Sequence, residues 1–217
     1  MSEYVLTATK NEARAGSFYD RIVRLYDLTF KVNGYGRSLD QYFAEHPLPV
    51  FPGARVLDAG CGTGTLTLAL LRTLRVPVKL AALDLSASSM VTAKKYVDKN
   101  NLRNQKVHFA QGNILSLPFA DESFDLIVTS GVLDYVPLEE GFIELARVIS
   151  RGGHLLHLPM RRSPVTKILE LLFRFRAHSP DQVAETSAQH FQVVSHYRFP
   201  PFHVISWSKT AVLAQKI

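Results

Sequence analysis

The stretch Arg55-Val56-Leu57-Asp58-Ala59-Gly60-Cys61-Gly62-Thr63-Gly64 decides the fold. A short apolar strand runs directly into glycines, which let the backbone turn sharply and approach a ligand closely. Glycine loops after a strand also mark dinucleotide enzymes, whose spacing is G-x-G-x-x-G. Here Gly60, Gly62 and Gly64 alternate strictly, and the third dinucleotide glycine would fall at Thr65. Asp58 stands two residues before the first glycine. A carboxylate there would repel a pyrophosphate but can accept hydrogen bonds from the ammonium of a methionine moiety.

Working outward, apolar strands alternate with amphipathic helices. Strands are predicted over 55–58, 78–85, 107–110, 124–129 and 154–158. Helices are predicted over 66–75, 88–100 with Ser88 as its cap, and 138–150, with Gly152-Gly153 turning out of the last. Such alternation predicts an α/β, mostly parallel sheet covered on both faces. Residues 1–50 read as an N-terminal helical cap, with Phe18, Ile22, Leu25 and Tyr26 at helical spacing, ending at the breakers Pro47, Pro49, Pro52 and Gly53. Residues 51–160 form a cofactor-binding core and 161–190 a helical lid. Residues 191–199 and 204–216 read as a closing strand pair joined across Pro200-Pro201, and all of 1–217 as one domain.

The carboxyl edge of such a sheet carries the candidate chemistry. Asp84 ends the second strand, where a carboxylate can take both hydroxyls of a ribose, and Leu85 follows it. Past the third strand, Gln111-Gly112-Asn113-Ile114 offers a side-chain oxygen for an adenine amino group and an apolar side chain for the ring. Ser130 and Gly131 end the fourth strand, and Leu133, Asp134 and Tyr135 follow at once. His157 stands near the end of the fifth strand on the acceptor side, with Asp134, Tyr135, His203 and Tyr19 as weaker candidates for a general base. A satisfied structural role is the more ordinary fate of any one of these histidines. His154, at the start of the same strand, points to the far edge.

Together these motifs resemble the class I methyltransferases that use S-adenosyl-L-methionine and release S-adenosyl-L-homocysteine. The resemblance covers about 53–159 and implies a Rossmann-like, seven-stranded, mostly parallel sheet with a reversed final strand and helices on both faces. It implies that Asp58, Gly60, Cys61, Gly62 and Gly64 hold the methionine part, Asp84 and Leu85 the adenosine, Asn113 and Ile114 the adenine, with Ser130 beside the methyl donor. The usual residue at the adenine position is aspartate, and Asn113 departs from it while keeping an accepting oxygen. Upstream, Phe18-Tyr19-Asp20-Arg21-Ile22 and Leu25-Tyr26-Asp27-Leu28 resemble the entry helix of ubiquinone and menaquinone C-methyltransferases and of bacterial phospholipid N-methyltransferases. That places Tyr19 and Tyr26 against the cofactor and implies a lipophilic acceptor, a quinone precursor or a phospholipid amine. A soluble small-molecule acceptor and a non-catalytic binding protein on the same fold stay open.

Composition narrows the surroundings. At 217 residues with 47% hydrophobic and 20% charged residues, the chain reads as globular. No apolar run is long enough to span a bilayer, and the start lacks the pattern of a secretory signal. Cys61 is the single cysteine, which rules out an internal disulfide and four-cysteine zinc sites and fits a cytoplasmic setting. No metal site is expected, and nothing in the sequence fixes the oligomeric state. Of the net charge of +6, +4 lies between Met160 and His178, on Arg161, Arg162, Lys167, Arg174 and Arg176 against Glu170. A helix over 163–177 would place Val165, Ile168, Leu169, Leu171, Leu172, Phe173 and Phe175 on a broad apolar face, opposite Lys167, Glu170 and Arg174. Such a helix either closes over the acceptor or makes a peripheral membrane contact. Charge so localised, without an appended basic module, argues against a nucleic-acid partner.

Overall fold

A computed structural model describes residues 34–100, 105–173 and 175–217. The upstream segment carrying Tyr19 and Tyr26, and Arg174, lie outside the described residues. Helix α1 (Tyr35–Glu45) precedes β1 (Arg55–Ala59), α2 (Thr65–Thr73), β2 (Lys79–Asp84), α3 (Ala87–Asn100) and β3 (Val107–Gln111). After a long connection come β4 (Phe124–Ser130), a 3-10 turn (Val132–Tyr135), α4 (Leu138–Val148) and β5 (Ile149–Leu158). The chain finishes with α5 (Pro164–Phe173), α6 (Pro180–Ala188), β6 (Phe191–Tyr197), a second 3-10 turn (Val204–Trp207) and β7 (Ala211–Lys216). The seven strands form one sheet in the order β3-β2-β1-β4-β5-β7-β6. β1 to β5 pair in parallel, and β7 runs antiparallel to both β5 and β6. This is the mostly parallel, seven-stranded Rossmann-like sheet with a reversed final strand that the sequence predicts.

The central strands are apolar on both faces because helices cover both. Successive residues of a strand point to opposite sides, so Val56, Leu126, Val128 and Leu156 join Leu39, Leu68 and Leu70 from α1 and α2. Leu57, Ile127 and Leu155 join Phe142 and Leu145 of α4 and Val183 of α6 on the other side. Asp58 is the buried polar residue of β1 and is fully enclosed.

Four local expectations are corrected. The cap of α3 is Ser86, whose Oγ accepts the Ser89 N–H at 3.1 Å, and not Ser88. Gly152 and Gly153 lie inside β5; a register shift against β4 between Phe124 and Leu126 lets the strand start early. Residues 161–190 divide into two helices, because Ser179 caps α6 by accepting the Gln182 N–H and Pro180 opens it. Val204 to Trp207 form a 3-10 turn, so β7 is shorter than the pattern suggests.

Arginine contacts fasten the edge of the sheet opposite the glycine loop. Arg147, in the last turn of α4, pairs with Glu144 and Asp121 at 2.7 Å each and donates to the carbonyls of Leu117 and Phe119. Arg147→Ala would leave both carbonyls and Glu144 without these partners. We expect a loss of about 1–3 kcal/mol in urea unfolding, with cofactor affinity unchanged in the folded protein.

Candidate active site

The glycine loop sits at the carboxyl ends of β1 and β2. The N–H groups of Gly60 and Cys61 donate to the Leu83 carbonyl at 2.8 and 2.9 Å, tying the loop to β2. Gly60, Gly62 and Gly64 all have left-handed φ, at 78°, 53° and 88°. At Gly60 glycine is required twice over, since a Cβ there would stand 2.6 Å from the Val132 Cβ. At Gly62 a Cβ would meet nothing within 4 Å, leaving open space beside the backbone. Cys61 is buried, with Sγ 3.6 Å from Met90 Sδ, and burial pushes its thiol well above the ordinary range. It therefore enters the loop as backbone and packing, not as a nucleophile.

Two carboxylates meet this loop. Asp58 accepts Thr67 Oγ1–H through Oδ2 at 2.5 Å, while its buried Oδ1 has no partner. Burial raises its pKa to about 7, with Thr67 pulling it down and nearby Asp84 adding to the rise. Among the described residues this carboxyl group has no counter-cation. Asp84 accepts the N–H of Gly62 at 2.8 Å and that of Ser86 at 2.9 Å, one on each oxygen. Leu85 beside it is 53% exposed, an apolar side chain left open next to a carboxylate.

Among the described residues, the remaining expected cofactor residues, Asn113, Ile114 and Ser130, follow β3 and end β4. Asn113 Oδ1 accepts the Leu115 N–H at 3.0 Å and shapes a local turn, and Ile114 is buried in the core. Ser130 Oγ and the Tyr35 hydroxyl are 2.9 Å apart, so the first residue of α1 reaches the end of β4. Tyr35 and Thr67 were not expected from the sequence. Their signal is weak: a tyrosine opening a helix, and a threonine on the buried face of α2.

The residues expected on the acceptor side lie across the end of β4. Asp134 is buried and accepts the Met160 N–H at 3.2 Å. Burial raises its pKa, against the opposing pull of Lys209 and of that N–H. Tyr135 packs on Phe175, ring centroids 5.6 Å apart, beside Met160, Ala177 and Leu169. His157 is buried edge-on to Phe142 at 5.6 Å, and its Nε2 has no partner. Burial first, then Lys209 and His178, lower its pKa to about 3, so the ring is neutral and a weak base. His203 lies apart, in the β6–β7 connection against Phe202. Lys209, which the sequence reading missed, is buried at the start of the closing strand and faces Gly131.

The helical wheel of the lid needs revision. Glu170 turns inward and accepts the Ala177 N–H at 2.6 Å, while Ile168, Leu171 and Leu172 are exposed. Helix α5 ends at Phe173, so Phe175 and Arg176 belong to the following connection.

Known proteins agree with this architecture. Residues 51–201 match the family described as methyltransferase domain. A demethylmenaquinone methyltransferase from Mycobacterium sp. (strain KMS) is 30% identical over 220 residues, 97% of this chain and 86% of that protein. One from Lactiplantibacillus plantarum is 30% identical over 152 residues, and there the match spans 64% of each protein. Geranyl diphosphate C-methyltransferase from Streptomyces coelicolor A3(2), solved with S-adenosyl-L-homocysteine, superposes with a TM-score of 0.70 at 16% identity, covering 83% of this chain and 79% of that one. An alternating glycine loop, two strand-end carboxylates and this ancestry agree: the chain belongs to the class I S-adenosylmethionine-dependent methyltransferases, of the quinone C-methyltransferase type.

Proposed function

We propose that the protein methylates a lipophilic ring acceptor, a reduced quinone or related phenol. The observation that carries this reading is the acceptor side of the site. Beyond the end of β4 stands a wall of Tyr135, Met160 and Phe175, beneath a helix that exposes Ile168, Leu171 and Leu172. The demethylmenaquinone methyltransferase relatives support a quinone over a phospholipid amine. When bound, S-adenosylmethionine supplies an electrophilic methyl on a sulfonium. The protein's own part is to orient and to exclude water.

Each residue's part follows from its surroundings. Asp58 Oδ1 accepts from the cofactor ammonium, which provides the missing countercharge. Asp84, at the end of β2, accepts both ribose hydroxyls, and Leu85 lies on the adenine face. Gly60, Gly62 and Gly64 admit the methionine part, Cys61 contributes backbone, and Ser130 flanks the methyl end. Asn113 receives the adenine amino group at the lone pair that Leu115 leaves, with Ile114 supporting the turn from below. His157 and Asp134 act as walls and positioning groups, and Tyr135 contacts the acceptor.

The exposed leucines of α5 suggest how a greasy substrate arrives. Phe202 and Trp207 are also exposed, and the Trp207 carbonyl accepts from Ser163 at the start of α5 at 2.9 Å. This apolar edge carries Lys167 and Arg162 nearby and suits peripheral contact with an anionic lipid surface. Among the described residues no helix is long and apolar enough to cross a membrane.

Three measurements test these readings. D58N should abolish most S-adenosylhomocysteine binding in calorimetry, and wild-type affinity should fall as pH drops below about 7 and Asp58 takes up a proton. The same variant should be more stable. Because the folded pKa lies above the unfolded one, wild-type stability declines as pH rises from about 4 to about 7 and stays low above that. The gain from D58N should thus appear in full at pH 8, on the order of 4 kcal/mol at most, and shrink towards pH 4. D84A should weaken cofactor binding by about 1.5–3 kcal/mol, and unchanged affinity in a folded variant would refute the ribose assignment. Wild-type protein should sediment with phosphatidylserine vesicles at low salt. L171E/L172E should reduce that binding by about tenfold or more while leaving the thermal midpoint unchanged.

A further inference from the structure

Lys209 is the least expected residue in the molecule. Only 2% of it is exposed, yet among the described residues no carboxylate lies within 4.0 Å of its ammonium. Its one hydrogen bond, to the Leu158 carbonyl, is long at 3.4 Å, so two of its three donors are unused. A buried cation without a close partner is costly, and a structural need for bulk at this position would be met by an apolar side chain.

The surroundings say where the ammonium is aimed. Lys209 pairs with Met160 in a β-bridge just before β7, and because β7 is reversed, this start lies at the carboxyl edge of the sheet. The ammonium lies over Gly131, 2.7 Å from where a Cβ would be, and any side chain there would displace it. The next residue, Val132, packs on Gly60 of the cofactor loop. A single bend after β4 therefore separates the methionine site from the lysine. Among the described residues, the ionisable groups that interact with it are Asp134, which attracts it from beyond ion-pair distance, and His157, and His178 acts in turn on both of these.

We propose that Lys209 is the anchor for a negatively charged oxygen of the acceptor, a phenolate of a hydroquinone. This rests on the quinone reading above and sharpens it. A quinone ring is electron-poor and does not attack a sulfonium methyl. Its two-electron-reduced form, ionised at one oxygen, is nucleophilic at the neighbouring ring carbon. In the transfer the S–CH3 bond breaks with its electrons staying on sulfur, a C–CH3 bond forms, and the ring carbon then releases its proton to water. The ring regains its aromaticity and its phenolate charge. Lys209 donates to that oxygen throughout, keeping the acceptor ionised and its carbon turned towards the methyl.

The test uses 1,4-naphthohydroquinone under anaerobic conditions, with its dimethyl ether as the uncharged control. Wild type, K209M and K209R are compared for turnover and for acceptor binding to the S-adenosylhomocysteine-bound protein. Wild type should bind and methylate the hydroquinone and discriminate against the ether. K209M should raise KM for the hydroquinone at least tenfold and bind both compounds alike. K209R should recover part of the difference. S-adenosylhomocysteine affinity and the thermal midpoint should hold or rise in K209M, which a structural lysine would not allow. If wild type is active and K209M matches it in KM and discrimination, the anchor is overturned while the quinone reading stands. If wild type binds S-adenosylhomocysteine but neither binds nor methylates the hydroquinone, both fall.

Discussion

A buried carboxylate at the end of the first strand, without a countercharge among the described residues, is the constraint around which the site is built. Asp58 follows two apolar residues of its strand, and among the described residues its environment supplies the hydroxyl and backbone of Thr67 and no cation. Buried charge of this kind is tolerated when the fold around it is over-determined. Here β1 is gripped by β2 and β4 on either side, and the loop after it is tied to the Leu83 carbonyl by two N–H groups. The helices on both faces keep the strand from shifting to expose the carboxylate. Stability is thus spent at the point where a cationic ligand recovers it.

The electrostatics of the site follow a line across the sheet edge. Asp58 and Asp84 make the β1–β2 side negative, and Lys209 makes the β5–β7 side positive, with the Gly131–Val132 bend between them. For the sulfonium donor and the phenolate acceptor proposed above, each side carries the opposite charge. Their mutual neutralisation as the methyl moves is favoured by the low-dielectric surroundings that fold the two halves together.

The arrangement of the glycine loop and its two carboxylates was legible in the sequence because its meaning is local. Asp58, the glycines and Asp84 take their roles from position on a strand followed by a turn, which spacing records. The rest of the site depends on contacts that spacing does not record. Lys209 reads as an ordinary polar residue before an apolar run until the reversed strand carries it to Gly131. Ser88 looked like the cap of its helix, but Asp84 captures the Ser86 N–H and starts the turn two residues earlier. Gly152-Gly153 looked like a turn because the sequence does not show the shifted register against β4. A wheel treats every polar residue of α5 as outward, whereas Glu170 faces in to satisfy a backbone N–H and leaves leucines outside.

The antiparallel β7 has a consequence for how such a protein can diversify. A parallel last strand would bring its end to the site and its start to the far edge. The reversed one presents its start, together with the loop before it, at the end of the chain. On the proposed reading, donor contacts are encoded early, between Asp58 and Ser130, and acceptor contacts late, from Asp134 onwards. Mutations in the last third would then alter what is methylated while the machinery that holds the methyl donor is inherited unchanged, partitioning the gene by role although the polypeptide shares one sheet.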